Sequence, residues 1–291
     1  MTAPETLQPI AAGVEIVAGA VTALFVPGDR PERFAKAAAS GADVVIIDLE
    51  DAVAAGEKPL ALASAVDALA RGGLRALVRV NPVGTATHGS EVKALLALAE
   101  LQHHGLLGIV VPKAEEGEAL AGLRAALPAD LALVPLVESA LGVVRAQELA
   151  LVPGVTRLAF GAIDFALDIN ADGGDRFLDH ARSSLVLASR AGGIAAPLDS
   201  PSIEIRDAGR VAESARLARN FGFGGKLCIH PAQVPIVNAE FQPTESDIEW
   251  ARLVIGAEGG AAQVEGQMID RPVTERAKRI LEQARKGASH G

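Results

Sequence analysis

The chain has 291 residues, 49% of them hydrophobic, with a mean hydropathy of +0.28, enough for one large α/β domain or two small ones around a buried core. Its net charge of −9 argues against a nucleic-acid or anionic-membrane partner, because neither suits a protein without a basic excess. The single cysteine, Cys228, rules out an intrachain disulfide and fits a reducing cytoplasm, the expected location.

No positive charge precedes Arg30, so the apolar N-terminal segment lacks the basic start of a signal peptide, and residues 1–20 read as a loose lead-in. No uncharged run approaches the roughly 18 residues of a membrane span. From there, short β-branched or apolar runs alternate with helical patterns. The runs are TALFVP (Thr22–Pro27), VVIIDLE (Val44–Glu50), ALVRVN (Ala76–Asn81), GIVVPK (Gly108–Lys113), LALVPLVE (Leu131–Glu138), RLAFGAID (Arg157–Asp164), IAAPLDS (Ile194–Ser200) and GKLCIHP (Gly225–Pro231). Segments such as RFAKAAASGA and RVAESARLARNFGF carry the helical period and close on glycine. Eight βα units predict a (β/α)8 barrel over residues 21–240, and the lack of GxGxxG after the first run speaks against a dinucleotide-binding sheet. Residues 241–291 read as a C-terminal helical extension. In it FQPTE is a linker, SDIEWARLVIGA a helix capped by Ser246, and EGGAAQ a flexible joint.

In such a barrel the site lies at the C-terminal ends of the strands, where Pro27-Gly28, Glu50-Asp51, Arg79 with Asn81, Lys113, Glu138, Asp164, Asp199 and His230 are expected to face one mouth. The plainer account of Asp48, Glu50 and Asp51 is that Asp51 caps the next helix while the others are solvated. Several acids and an arginine round one rim are instead expected where a cation or a proton transfer is managed. Glu138 and Asp164 end adjacent strands, and two carboxylates with waters suit Mg²⁺, which seldom takes an all-protein cage. There is no His/Cys cluster for zinc, and His103-His104 read as part of a solvated helix or its end. Glu50 and Asp51 fit roles as acceptors for waters around a metal, and Arg79 as the partner of an oxyanion or carboxylate.

The stretches LFVPGDRPERFAKA, VVIIDLEDAV, VRVNP, PKAE, PLVESALGV, FGAIDFALD, KLCIHPAQV and VEGQMIDRPV together resemble the citrate lyase β-subunit-like branch of the HpcH/HpaI aldolase and citrate lyase superfamily, over about Thr22 to Leu281. The resemblance implies a Mg²⁺-dependent (β/α)8 enzyme that cleaves or forms the carbon–carbon bond of a β-hydroxyacyl thioester. It implies Glu138 and Asp164 as metal ligands, Arg79 as substrate-binding and Glu50-Asp51 as the pair holding metal waters. It places Asp270 on an extension that closes a neighbouring subunit's barrel and supplies the acid/base group, within a homo-oligomer, trimer or hexamer. The sequence also allows Asp270 to be the N-cap of VTERAKRILEQARK.

A CoA thioester is expected against Pro27, Gly28 and Arg30 on one side and Ile229, His230 and Pro231 on the other, with Arg33 and Lys36 near the same helix start. The plainer account of PGDRPERFAK is a capping box of Asp29 and Glu32. Val21 stands where many relatives carry arginine, which bears on substrate anchoring, and Ile163 where they carry an acid, which bears on the metal's surroundings. The expected reaction yields an acyl-CoA and a small oxo acid. Three other readings stay open: a citrate lyase β subunit served by an acyl-carrier protein, a pyruvate-type aldolase, and a non-enzymatic binding relative. Asp51 stands where the pyruvate aldolases carry histidine.

Overall fold

The computed structural model describes residues 13–172, 175–257, 263–264 and 267–288; most of the expected EGGAAQ joint, and Gly266, lie outside them. Eight parallel strands close into a barrel in sequence order: β1 (Thr22–Pro27), β2 (Val44–Asp48), β3 (Ala76–Arg79), β4 (Leu106–Val111), β5 (Ala132–Val137), β6 (Arg157–Phe160), β7 (Ala195–Asp199) and β8 (Gly225–Cys228). The helices are α1 (Gly13–Gly19), α2 (Phe34–Ala38), α3 (Lys58–Ala70), α4 (His88–Ala99), α5 (Gly117–Ala126), α6 (Ala140–Val144), α7 (Ala146–Leu151), α8 (Ala162–Asp168), α9 (Asp179–Ala191), α10 (Ala208–Phe221), α11 (Gln233–Phe241), α12 (Glu245–Gly256) and α13 (Arg271–Ala288). The expected (β/α)8 barrel is therefore present, and its strands are almost wholly buried because helices cover the sheet's outer face.

Side chains alternate across each strand, and one set from every strand fills the barrel: Ala23, Ile46, Leu77, Val110, Val134, Ala159, Leu198 and Leu227 belong to one buried cluster. Val17 and Ala20 join it from the N-terminal side. Where a loose lead-in is expected, residues 13–19 form α1. Its Val14 N–H donates to the Asp130 carbonyl at 3.0 Å, and burial of Val17 holds the helix under the barrel floor. Val21 sits at this same floor end, directly before β1, and its N–H donates to Asp43 at 2.9 Å. Six strand residues of about 3.3 Å each separate it from the mouth, so an arginine here would not meet a ligand bound there.

Strand register puts Asp48 beside Arg79 across β2 and β3 and Pro27 beside Asp48 across β1 and β2, which gathers acid and base at one edge of the mouth. By contact, the chain divides into two compact units, residues 1–237 and 238–291. In the second, α12 and α13 pack Ala251, Val254 and Ala277 with Trp250, Val273, Ile280 and Leu281. The start of α12 is capped by Thr244, not by Ser246: Thr244 and Asp247 each accept from the other's backbone N–H in a full capping box. Among the described residues, no helix is long and apolar enough to cross a membrane.

Candidate active site

Most of the expected rim residues lie one or two positions beyond their strands, in the βα turns. Glu50 follows β2 and is 4% exposed. Asp51 does not cap the next helix. A 3-10 turn over Ala55–Glu57 begins that helix, with Ala54 at its cap position and no side-chain bond. Asp51 turns instead to Arg79, whose Nη1 donates to its Oδ2 at 3.4 Å.

Arg79, at the end of β3, is the hub of the acidic array. Its Nε and Nη2 donate to Asp48 at 2.7 and 2.6 Å in a fork-to-fork pair, and Nη1 lies 2.9 Å from Glu50 Oε2. That last approach is not aligned as a hydrogen bond, so Glu50 Oε2 is buried without a hydrogen-bond partner. The guanidinium also stacks 4.8 Å over the Phe25 ring. Burial works against the Arg79 charge, but the Asp48 hydrogen bonds and the charges of Asp48, Glu50 and Asp51 outweigh it and hold its pKa above the usual arginine value. Asp48 is the residue the sequence reading left without a role. It shares a face with Ile46, which points into the barrel, so the two-residue period was a signal for it.

Glu138 follows β5 and is 3% exposed. Its Oε1 accepts the Lys113 N–H at 2.8 Å. That donor is aimed by an unusual backbone: Lys113 has φ of 49° without being glycine, a conformation that costs on the order of 1 kcal/mol and is found at functional turns. The Lys113 ammonium returns across the mouth to Glu50 Oε1 at 2.9 Å. Gly161 makes room for Glu138, since a Cβ there would stand 2.6 Å from both its Cβ and its Oε2. Burial and then the Glu50 charge push the Glu138 carboxyl up to about 8, with the Asp164 charge adding to them and the Lys113 N–H and Arg79 opposing. Asp164 lies in the first turn of α8 rather than at a strand end, next to the half-exposed Ile163.

Other expected rim residues serve the frame. Asn81 donates to Glu91 and to the Leu49 carbonyl, and accepts from Lys58, whose ammonium also holds the Leu49 and Glu50 carbonyls at 2.9 Å. Asp199 faces away from the mouth: its neighbour Leu198 takes the interior position, while Asp199 pairs with Lys226 and Arg182 in the buried outer layer. His103-His104 lie in the turn after α4. Gly28 packs too tightly for any side chain, a Cβ there lying 2.8 Å from Leu49 and 2.9 Å from the Asp48 carbonyl, which accounts for the glycine without a ligand. Arg30 is 56% exposed beside Asp29 at 3.8 Å, and no capping box forms at Pro31–Arg33. Ile229 is 42% exposed, and the backbone N–H groups of Ile229 and His230 are pinned by Gln233, whose amide ties the same turn to the Ser202 and Glu204 carbonyls. Asp270, in the second unit, is exposed and accepts the Val273 N–H at 3.1 Å, so it is the N-cap of α13.

The donor set fits a hard divalent cation. Among the described residues no three ligating side chains converge into a metal cage, but Glu138 and Asp164 offer only carboxylate oxygens, the kind of site at which Mg²⁺ keeps waters. Five carboxylates, Asp48, Glu50, Asp51, Glu138 and Asp164, belong to this mouth, and among the described residues the side-chain cations that form ion pairs with them are Arg79 and Lys113. A cation that relieved this excess would return Glu138 to its charged form.

The HpcH/HpaI aldolase/citrate lyase family model matches residues 22–231. The chain is similar to a citrate lyase subunit beta-like protein of Mycobacterium tuberculosis, 39% identical over 276 residues that cover 91% of this chain and 96% of that protein. It is 32% identical to a (3S)-malyl-CoA thioesterase of Cereibacter sphaeroides over 90% of this chain and 93% of the other. Among solved structures it resembles the protein CitE from Mycobacterium tuberculosis in complex with magnesium, acetoacetate and coenzyme A. There the TM-score is 0.79 and the identity 37%, over 92% of this chain and 98% of that one.

Proposed function

The chain belongs to the HpcH/HpaI aldolase/citrate lyase family, and on that premise we propose that it is a Mg²⁺-dependent carbon–carbon lyase that cleaves a β-hydroxyacyl-CoA thioester to an acyl-CoA and a small oxo acid. The observation that carries this reading is the surplus of buried carboxylate at the mouth, with Glu138 pushed up to about 8 by its surroundings. The CitE neighbour crystallised with magnesium, acetoacetate and coenzyme A supports it.

Glu138 and Asp164 would hold the metal. Bound there, Mg²⁺ supplies Lewis-acid stabilisation of the charge that develops on the substrate hydroxyl oxygen as it becomes a ketone. Arg79, fixed by Asp48 along one edge, turns its Nη1 edge to the same region and adds charge stabilisation without having to reorganise. Glu50, buried beside Arg79, and the exposed Asp51 are assigned to waters around the metal. The acid/base group is assigned to Asp270 of a neighbouring copy in a homo-oligomer. As the carbon–carbon bond breaks, the substrate hydroxyl gives up its proton to water at the mouth, and protonated Asp270 gives its own to the thioester enolate; in the reverse direction Asp270 takes a proton from the acyl methyl and water returns one to the new hydroxyl oxygen. Pro27, Gly28 and Arg30, with Ile229, His230 and Pro231, are assigned to the CoA, and Arg30 is the exposed cation among them.

The test is a thermal-shift panel of acetyl-CoA, pyruvate and glyoxylate with and without Mg²⁺, since ligands that bind the folded state raise its melting temperature by mass action. The reading expects Mg²⁺ to stabilise the protein and the oxo acids to add stabilisation only in its presence. Oxo-acid shifts that are the same without Mg²⁺ count against it.

A further inference from the structure

The cations around Glu50 differ in what they have left to give. Lys58 uses its three ammonium donors on the Leu49 and Glu50 carbonyls and on Asn81. Arg79 is 8% exposed, gives one edge to Asp48, and meets Glu50 and Asp51 with its remaining nitrogen. Lys113 is different. Its side chain is 46% exposed, and its ammonium makes one hydrogen bond among the described residues, to Glu50 Oε1 at 2.9 Å. Two of its three N–H donors are free to turn to a ligand.

The backbone of Lys113 fixes where that ammonium starts from. The left-handed turn at φ of 49° points the Lys113 N–H at Glu138 Oε1, 2.8 Å away, while the side chain crosses to Glu50. One residue thus touches both the carboxylate assigned to the metal and the buried acid beside Arg79. An anion arriving at Glu138 comes within the ammonium's reach. A flexible four-carbon stem with a compact charge suits that task, because it can keep Glu50 as one acceptor and take a ligand oxygen as another.

We propose that Lys113 is a substrate-binding residue whose ammonium contacts the carboxylate of the oxo acid, in addition to any contact from Arg79. This rests on the lyase reading above. It separates from a purely structural role by sign. If Lys113 only held Glu50 in place, removing its charge would loosen the acidic array and weaken Mg²⁺ and oxo acid together. If it contacts the oxo acid, removing a like charge from beside the metal leaves Mg²⁺ affinity equal or tighter, while oxo-acid affinity falls.

Calorimetry tests this with Mg²⁺ alone and with pyruvate at saturating Mg²⁺, on the parent, Lys113→Met, Lys113→Gly and Lys113→Arg. The glycine variant accepts the left-handed backbone without strain and guards against a folding defect in the methionine one. The expected result is pyruvate affinity reduced about tenfold or more in the methionine and glycine variants, as for a lost charge-assisted hydrogen bond, with Mg²⁺ affinity not reduced and pyruvate affinity largely restored by arginine. Pyruvate affinity within about twofold of the parent in both uncharged variants overturns the proposal, and so does a parallel loss of Mg²⁺ affinity. If the parent binds glyoxylate and not pyruvate, the same variants are titrated with glyoxylate; if it binds neither with Mg²⁺ present, the lyase reading falls and this inference falls with it.

Discussion

The floor and the mouth of the barrel each bury an arginine, and the two are held in opposite ways. At the floor, Arg157 opens β6 and is 1% exposed. Its Nη1 donates to the Val17 and Ala20 carbonyls at 2.9 and 2.7 Å, and Nε and Nη2 donate to the Ala196 carbonyl. At the mouth, Arg79 meets three carboxylates. Burial drives the Arg157 pKa down to about 9, with only the Asp43 charge opposing, whereas carboxylate contacts overcome burial and raise that of Arg79. A cation held by carbonyl dipoles serves the fold: it ties α1 to the strands and, among the described residues, forms no ion pair with a carboxylate. A cation among surplus carboxylates leaves charge over, and that surplus suits a ligand.

The largest expected effect tests the floor. Arg157→Met strands several carbonyls in a dry interior and should destabilise the protein by about 3–5 kcal/mol in chemical denaturation, with Mg²⁺ affinity of the folded protein unchanged. A loss under about 1 kcal/mol would show that water replaces the guanidinium and would erase the contrast between the two ends.

Arg79→Lys keeps the charge at the mouth but loses the planar fork on Asp48, so turnover of an accepted thioester should fall about a hundredfold or more in steady-state assays. Near-parental turnover would make Arg79 a frame residue like Arg157.

A pH series sharpens the same contrast. The Glu138 pKa is raised when folded, so in the metal-free protein its contribution to stability is fully present below the ordinary glutamate value of 4.5 and is lost as pH rises through about 8. Mg²⁺ competes with that proton. Its melting-temperature increment should therefore grow from about pH 6 to about pH 8.5 and then level off. An increment that shrinks as pH rises over this window would mean that Mg²⁺ binds elsewhere.

The smallest stability effect is expected in the second unit. Asp270→Asn keeps an N-cap for α13, so unfolding should stay within about 1 kcal/mol of the parent while proton transfer at the acyl carbon is lost, read by solvent deuterium exchange into acetyl-CoA. Exchange at the parental rate would leave Asp270 as a cap alone.

The eight strands were legible because each is a short apolar run between helical patterns. The mouth was legible in part. Glu50, Lys113 and Glu138 read in the sequence as the last residues of their strands, and they stand one or two positions further on, in turns, because the strands end at Asp48, Val111 and Val137. Asp164 stands in a helix because the chain turns at Gly161, where Glu138 leaves no space for a side chain. Asp48 and Asp199 show the limit of reading strand ends as a group: only the two-residue alternation tells that Asp48 shares the inner face with Ile46 while Asp199 stands opposite Leu198. Helix α1 was hidden because GVEIVAG is short and bounded by glycines, and what holds it is Arg157, 140 residues away from Val17 in sequence. The left-handed backbone of Lys113 leaves no trace in sequence, since lysine is not a residue that predicts it.

The claim that the mouth is a metal site is tested most directly by calorimetric titration of Mg²⁺ into the parent and into Glu138→Gln. The account predicts one Mg²⁺ per chain for the parent, and affinity weakened about a hundredfold or more when this hard anionic ligand becomes a neutral amide, with the melting temperature of the metal-free variant equal to or above that of the parent at pH 8. Equal Mg²⁺ affinity in the two proteins would contradict it.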